Sequence, residues 1–153
     1  MSLAAWMKPA LITVKPRDSA RHARELMERH RINQLPVVVD DRLVGIVTDR
    51  DLRDLFPSMF ETAPALAHRT PRSVVDPTTI PVEYVMTSTV LTLPPAATVA
   101  DAARLMRRER IGAIPIVDRE RLVGILSRSD VLDAFVELST RSRTVSVTEA
   151  RPN

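Results

Sequence analysis

Apolar residues recur along this chain with two spacings, and the same succession of spacings occurs twice. From about residue 20 and again from about residue 99, they return every three or four positions, which predicts an amphipathic helix. Two short apolar runs separated by a charged turn follow each helical pattern, as in a buried β-hairpin. A further helix is predicted to begin near Asp49 and near Arg128. The pattern therefore predicts two similar units of mixed helix and strand.

The order of elements within each unit is predicted to be β-α-β-β-α. The predicted strands fall at 11–14, 35–39 and 43–47 in the first unit and at 90–93, 114–117 and 122–126 in the second. Ser19 and Thr98 are predicted N-caps, since a hydroxyl accepts hydrogen bonds from the free N–H groups at a helix start. Helices that cover a small sheet in this way indicate an α/β (α+β) fold class.

The two units form an internal repeat. Residues 5–54 align with residues 84–133 without a gap, at an offset of 79. One such unit cannot bury both faces of its sheet, so the two are expected to pack on each other in pseudo-two-fold symmetry and leave clefts between them. The predicted domains are residues 1–56 and 80–138, with a linker at 57–79 and a flexible tail at 139–153.

The composition limits the chemistry available to this fold. The chain of 153 residues is 44% hydrophobic but only 3% aromatic, so the core must consist of aliphatic side chains. Cysteine is absent, which excludes disulfides and thiolate chemistry and fits a cytoplasmic protein. No apolar run approaches the length of a membrane span. The net charge of +3 suits an anionic small ligand better than a dedicated role in nucleic-acid binding.

The candidate functional motif is G-x-x-[T/S]-x-x-D, at 45–51 and again at 124–130. In each copy an apolar strand runs into a helix through a hydroxyl and a carboxylate, which are Thr48 and Asp51, then Ser127 and Asp130. The hydroxyl and the first N–H groups of the helix could hold an anion. The carboxylate could accept hydrogen bonds from a sugar diol. The alternative is that the hydroxyls only cap their helices.

Other residue patterns argue against catalysis and metal binding. His22, His30 and His68 show no paired spacing with carboxylates, so no metal site is expected. No Ser-His-Asp or Cys-His arrangement has a convincing context, and three glycines are too few for a phosphate-binding loop. The arginine-rich run 104–110 is interpreted as a solvated helix face, with nucleic-acid binding as the alternative. The proline-rich stretch 55–79 is either a linker or a mobile flap that senses a ligand.

Taken together, these features resemble a free-standing tandem pair of CBS domains, often called a Bateman module. The resemblance is carried by the β-α-β-β-α unit, the segment Ile32-x-x-Leu35-Pro36-Val37-Val38 with its copy at 111–117, and the Leu-Val-Gly-Ile strand before [T/S]-x-x-D. It covers nearly the whole chain. Residues 48–53 are also similar to small bacterial regulators of the acetoin-utilisation type, which carry a further C-terminal domain in their full form.

The resemblance implies a non-catalytic regulatory module. Such pairs bind adenosine-containing ligands between the CBS units, so the expected regulatory ligand is an adenine nucleotide (AMP, ADP or ATP) or S-adenosylmethionine, with no obligatory cofactor. The module would act as an energy sensor that signals its occupancy to a protein partner, and a homodimer is expected. One alternative is a ligand-free scaffold used for dimerisation and partner docking. Another, weaker alternative is nucleic-acid binding.

The resemblance also assigns residue roles by position. Asp51 and Asp130 would accept the ribose hydroxyls, and Thr48 and Ser127 would face the phosphate. Thr13–Val14 and Thr92–Leu93 would contact the base, and Val37 and Ile116 would enclose it. The implied ligand-binding residues are Thr13, Val14, Pro36, Val37, Thr48, Arg50, Asp51, Thr92, Leu93, Ala113, Pro115, Ile116, Ser127, Arg128 and Asp130.

Basic phosphate contacts are missing from the positions where some relatives place them. Those positions hold Asn33, Gln34, Gly112 and Ala113. Arg50, Arg128 and Lys8 are the cations that could compensate.

Overall fold

A computed structural model describes residues 2–9, 12–55 and 79–141 of the chain. The helices are α1 (Ala20–His30), α2 (Asp49–Leu55), α3 (Val99–Glu109) and α4 (Arg128–Arg141). The strands are β1 (Gln34–Val39), β2 (Arg42–Thr48), β3 (Ala113–Asp118) and β4 (Arg121–Ser127). Two one-turn 3-10 helices, Leu3–Ala5 and Val82–Tyr84, precede the units. The predicted mixed fold class is confirmed, and so are the two helices and the hairpin of each unit.

The four strands form one antiparallel sheet in the order β1-β2-β4-β3. The two hairpins meet where Arg42 pairs with Arg121. Two ion pairs link the hairpin turns across this junction, from Arg42 to Glu120 at 3.0 Å and from Arg121 to Asp41 at 3.9 Å. The sheet thus joins the two halves at its centre, in agreement with the expected pseudo-two-fold packing.

The prediction of a first strand in each unit is wrong for the described residues. The structure has only an isolated parallel bridge there, from Val14 to Val37 and from Leu93 to Ile116. Val14 donates its N–H to the Pro36 carbonyl at 3.1 Å and accepts from the Val38 N–H at 2.9 Å. Prolines at 16, 94 and 95 follow these residues closely and turn the chain away before a longer ladder can form. Leu11, the start of one predicted strand, lies outside the described residues.

Side chains define both ends of α1 and α3. Ser19 accepts a hydrogen bond from the His22 N–H at 3.1 Å, and Thr98 forms a reciprocal capping box with Asp101, so both predicted N-caps are confirmed. At the other end, α1 and α3 stop at Arg31 and Arg110, whose φ angles are 53° and 57°. Glycine usually takes this left-handed position, and an arginine there is mildly strained. Because both units have this strain at equivalent positions, we expect the two arginine side chains to belong to a functional site.

The 3-10 helices are exchanged between the two halves. Leu3 is fully buried in the core of the second half, with Val99, Met106, Ile114 and Leu126. Val82 is fully buried in the core of the first half, with Val14, Met27, Leu35 and Val47. Each 3-10 helix therefore completes the core of the other half. The predicted domain boundaries, 1–56 and 80–138, follow the order of the chain. They therefore do not reveal this exchange.

Backbone hydrogen bonds fix the exchanged segments to the sheet. Lys8 pairs with Ile125 of β4 through two hydrogen bonds of 3.0 and 2.9 Å. Thr87 pairs with Ile46 of β2 in the same way, at 3.0 and 2.9 Å. Because 8 and 87 differ by the repeat offset, as do 46 and 125, the two attachments are equivalent in the repeat.

Several sequence-based expectations concern residues 56–78 and 142–153, which lie outside the described residues. The choice between linker and flap for 57–79 therefore stays open, and the tail at 139–153 stays a prediction for most of its length. Helix α4 continues to Arg141, past the expected change at residue 139. In the described parts of the chain, no helix is long and apolar enough to cross a membrane.

Candidate functional site

Two clefts lie between the halves. The first cleft has a volume of about 600 Å³ and is lined by Ile12 and Pro36 from the first half, by Ser127 and Asp130 from the second, and by Lys8 of the exchanged segment that is attached to β4. The second cleft has a volume of about 630 Å³ and is lined by Ile46, Thr48 and Arg50 from the first half and by Leu91, Arg110 and Ala113 from the second. Ligand pockets for small molecules commonly have volumes of about 300–1,000 Å³. Either cleft can therefore hold a ligand of nucleotide size.

The hydroxyls of the repeated motif cap the helices that follow them. The Asp51 carboxylate accepts from the Thr48 N–H at 2.8 Å and from the Thr48 hydroxyl at 2.9 Å. The Asp130 carboxylate accepts from the Ser127 N–H at 2.7 Å and from the Ser127 hydroxyl at 2.6 Å. In return the Thr48 hydroxyl accepts from the Asp51 N–H at 3.2 Å and the Ser127 hydroxyl from the Asp130 N–H at 3.3 Å, so both hydroxyls cap their helices. Thr48 and Ser127 also line the clefts, so the caps hold these hydroxyls where a ligand could contact them.

Asp130 is the one buried charged side chain among the described residues, with 4% of its surface exposed. Its second carboxylate oxygen lies 2.8 Å from the ammonium group of Lys8. Burial alone would raise the pKa of Asp130, but hydrogen bonds from Lys8 and Ser127 and the charge of Lys8 outweigh it and hold this pKa below its ordinary value. Asp130 is therefore ionised at neutral pH, and Lys8 neutralises it.

The lowered pKa of Asp130 makes its contribution to stability pH-dependent. We expect Asp130→Asn to lower the free energy of unfolding at pH 7 by about 1.5–3 kcal/mol, because charge-assisted hydrogen bonds are lost. An unfolded Asp titrates near a pKa of about 3.9. The folded pKa is lower, so the difference from wild type is complete above the unfolded pKa and disappears as the pH falls through the folded pKa. Urea unfolding between pH 7 and pH 2.5 measures it.

Asp133→Asn is the control for this comparison, because it removes the same charge from an exposed position of the same helix. Its effect should stay within about 0.5 kcal/mol. A deficit of Asp130→Asn that is the same at every pH would contradict the proposed role of the ionised carboxylate.

The second cleft carries an excess of positive charge. Arg50, Arg53, Arg110 and Arg128 all line it. Arg53 pairs with Asp49 at 2.9 Å, and Arg128 donates to the carbonyl of Ile111 at 3.1 Å. Arg50 and Arg110 are exposed. Arginine presents several N–H donors in a planar fork that matches phosphate oxygens. This cleft is suited to a phosphate-bearing ligand.

Eight of the fifteen residues implied by the sequence lie outside the walls of both clefts. Pro36, Ser127 and Asp130 line the first cleft, and Thr48, Arg50, Ala113, Ser127 and Arg128 line the second. Val14 and Val37 lie in the first core and Ile116 in the second, and Pro115 is also fully buried. Thr92 lines a separate groove beside Arg42. Thr13, Leu93 and Asp51 line neither cleft, although Asp51 lies directly behind Thr48.

Strand geometry explains why Val37 lies in the core and not on a cleft wall. Neighbouring side chains of a strand point to opposite faces of the sheet, so Pro36 and Val37 cannot both face a ligand. Pro36 lines the first cleft, and Val37 lies in the core. The expected enclosure of a base by Val37 and Ile116 is therefore not what the structure offers.

Sequence analysis did not assign Arg53 and Arg110 to the site. The sequence did hold a signal for Arg110. Both units have an arginine just after the first helix, Arg31 and Arg110, at a position that favours glycine. Arg31 correspondingly lines the first cleft. In the described residues, no group of three or more His, Asp or Glu side chains is arranged to hold a metal ion.

Comparison with known proteins matches this architecture. A family model of the CBS domain matches the chain twice, at residues 3–58 and 82–137. The CBS domain-containing protein YhcV of Bacillus subtilis is 32% identical over 130 residues, which represent 85% of this chain and 82% of that protein.

Solved structures show the same fold. A protein assigned to acetoin utilization (AcuB) from Vibrio cholerae superposes with a TM-score of 0.76 at 25% identity, covering 99% of this chain and 98% of that one. CBSX2 of Arabidopsis thaliana, solved in complex with AMP, superposes with a TM-score of 0.73 at 30% identity, covering 90% and 98%. The chain therefore belongs to the CBS-domain family and is a tandem pair of CBS domains.

Proposed function

We propose that this CBS pair is a non-catalytic regulatory module that binds an adenosine-containing nucleotide in the clefts between its halves. The observation that carries the proposal is the second cleft, where arginines from both halves line the same walls as Thr48, whose hydroxyl caps α2. The complex of CBSX2 with AMP supports the ligand class. AMP, ADP and ATP are the first candidates, and S-adenosylmethionine is a further one.

The second cleft offers a partner for each part of a nucleotide. Arg50, Arg110 and Arg128 can neutralise the phosphate. Asp51 lies behind Thr48 and has a carboxylate oxygen that can accept hydrogen bonds from a ribose diol. Apolar side chains such as Leu91 give the base a surface to contact.

Signalling would follow from the position of the ligand between the halves. A ligand that contacts both halves has different affinities for different arrangements of them, and it shifts the population accordingly. A protein partner that recognises one arrangement would then respond to nucleotide concentration, as expected of an energy sensor.

A thermal-shift screen tests the proposal with AMP, ADP, ATP, S-adenosylmethionine, NAD, GMP and a cyclic dinucleotide. A ligand specific for the native state stabilises it by about 2.7 kcal/mol at a hundred times its dissociation constant. We expect one adenosine ligand to raise the melting temperature of the wild type. The double variant Asp51→Ala/Asp130→Ala should lose this rise.

A matched control is available one helical turn further along the same helices. Asp54→Ala/Asp133→Ala removes two exposed carboxylates that are also related by the repeat, and it should keep the ligand response. Because Asp51 and Asp130 also cap helices, Arg50→Gln/Arg110→Gln provides a second test that leaves the caps in place. A flat response of the wild type to the whole panel would refute nucleotide binding.

The second candidate function is a ligand-free scaffold, and the surface of α4 favours it. Leu132, Phe135 and Val136 are exposed there, with Phe135 showing 67% of its surface. Such a patch could support a homodimer or a protein partner. Nucleic-acid binding has less support, because Arg104 pairs with Asp101 and Arg108 with Glu109 within the arginine-rich run. A flat thermal-shift screen together with a dimer in solution would favour the scaffold.

A further inference from the structure

The two clefts differ at several pairs of equivalent positions, and one of these pairs decides what the motif carboxylate contacts. Lys8 of the first cleft corresponds to Thr87 of the second, at the repeat offset of 79. Lys8 and Thr87 are attached to β4 and β2 by the same pair of backbone hydrogen bonds. Their side chains therefore start from equivalent places, and the chemical difference between them is a difference between the clefts.

In the first cleft, Lys8 occupies the carboxylate that a sugar diol would need. One oxygen of Asp130 accepts from Ser127, at 2.7 and 2.6 Å, and the other lies 2.8 Å from the ammonium of Lys8. Both oxygens of the buried Asp130 are thus engaged without a ligand. The Lys8 side chain is itself 70% exposed, so it can move away, but only by breaking this ion pair.

In the second cleft, the equivalent carboxylate has a free side. One oxygen of Asp51 accepts from the N–H and the hydroxyl of Thr48. Within the described ranges 2–9, 12–55 and 79–141, no Lys or Arg forms an ion pair with Asp51. Thr87, in the place of Lys8, carries no charge. The other oxygen of Asp51 accepts no hydrogen bond from the described residues, and it lies behind Thr48, whose side chain lines the cleft, so a diol that reaches past Thr48 can bond to it.

The charges around the two carboxylates also favour ligand binding in the second cleft. In the first cleft the charges of Lys8 and Asp130 cancel, and Arg31 is the cation of that wall that forms no ion pair with residues 2–9, 12–55 and 79–141. In the second cleft Arg50, Arg110 and Arg128 remain after Arg53 has paired with Asp49. A nucleotide phosphate is therefore attracted more strongly to the second cleft.

We propose that Lys8 blocks the motif carboxylate of the first cleft, so that a ribonucleotide binds first in the second cleft and reaches the first only by displacing Lys8 from Asp130. The inference rests on the proposed nucleotide binding and adds an order of occupancy to it. The repeat alone would predict two similar sites, whereas the side chains give one open site and one that is internally occupied.

Isothermal titration with AMP tests the inference through two reciprocal substitutions. In the wild type we expect one tight site per chain and a second that is at least about tenfold weaker, which corresponds to about 1.4 kcal/mol. Lys8→Thr gives the first cleft the residue that the second has at this position, frees one oxygen of Asp130, and should reduce the difference between the two affinities. Thr87→Lys places an ammonium near Asp51 and should weaken the tight site by about tenfold. Lys15→Thr removes the chain's other lysine, an exposed one outside both clefts, and should change neither site.

The possible outcomes separate this inference from the proposed function. Two equal sites in the wild type would overturn the inference and leave nucleotide binding intact. Loss of the weak site in Lys8→Thr would also overturn it, because Lys8 would then hold the phosphate rather than compete with the ligand. Absence of AMP binding in every variant, together with a flat thermal-shift screen, would refute the proposed function and this inference with it.

Discussion

Replacing Leu3 by alanine is expected to lower the free energy of unfolding by about 2–5 kcal/mol. Leu3 is fully buried in the core of the second half, and its 3-10 helix is held there by the Leu3 N–H, which donates to the Ala97 carbonyl at 2.8 Å. Removing its side chain leaves a cavity among aliphatic neighbours that have little freedom to close it.

Urea unfolding followed by circular dichroism measures this effect. Val82 is the repeat equivalent of Leu3 in the first half, and Val82→Ala should destabilise in the same way but less, since fewer atoms are removed. Tyr84→Ala is the control, because Tyr84 lies in the same 3-10 helix as Val82 with 76% of its surface exposed. A loss below about 0.5 kcal/mol for Leu3→Ala would mean that the N-terminal segment does not belong to this core.

Gly124→Ala is expected to destabilise the protein by about 1–3 kcal/mol through overpacking. A Cβ atom at Gly124 would lie 2.9 Å from the carbonyl oxygen of Lys8 and 2.9 Å from the sulfur of Met7. The methionine can move, but the carbonyl belongs to a backbone segment that is hydrogen-bonded to Ile125. The added methyl group therefore pushes the N-terminal segment away from β4, and it should weaken ligand binding in the first cleft as well.

The other two glycines provide graded comparisons in the same unfolding experiment. Gly45 is the repeat equivalent of Gly124, but a Cβ there meets chiefly the flexible side chain of Met86, with the Thr87 carbonyl at 3.1 Å, so a smaller loss is expected. A Cβ at Gly112 meets nothing within 4 Å, and Gly112→Ala should be neutral or stabilising by about 0.4–1 kcal/mol. Equal losses at all three positions would show that steric contact with the exchanged segments is not the cause.

The elements that depend on local pattern were predictable from the sequence. Helices α1 and α3 have apolar residues on one face and a hydroxyl at the N-cap, and the hairpins combine β-branched runs with short charged turns. The first predicted strands failed because a run of four apolar residues does not reveal whether a partner strand lies alongside. Val14 and Leu93 each form a single β-bridge to the neighbouring strand, and a proline then turns the chain away from it.

The exchange of the two 3-10 helices could not be predicted from the sequence. The sequence does not show whether each 3-10 helix packs in the core of its own half or in the core of the other half. Self-comparison shows that Leu3 is equivalent to Val82, but both arrangements, exchanged or not, satisfy the same pattern of apolar residues. Only three-dimensional packing places Leu3 in the second core.

The candidate site was predictable in part for a related reason. The motif located Thr48 and Ser127 correctly on the cleft walls, since a strand that runs into a helix fixes the residue between them. It did not separate cleft-facing from core-facing neighbours such as Pro36 and Val37. It also treated the two copies as equal, although Lys8 and Thr87 give the clefts different chemistry.

The exchanged 3-10 helices also determine when this protein can complete its structure during synthesis. A ribosome adds about 5–20 residues per second, so Leu3 emerges roughly 6–24 s before strand β4, to which its segment must attach. The first half cannot finish its own core either until Val82 has been synthesised, beyond the stretch that joins the halves. The first half can complete its core once Val82 has been made, whereas the second half gains Leu3 only after β4 has been made. The two copies of the domain therefore form a single folding unit, in which strand β4 secures a segment made well before it.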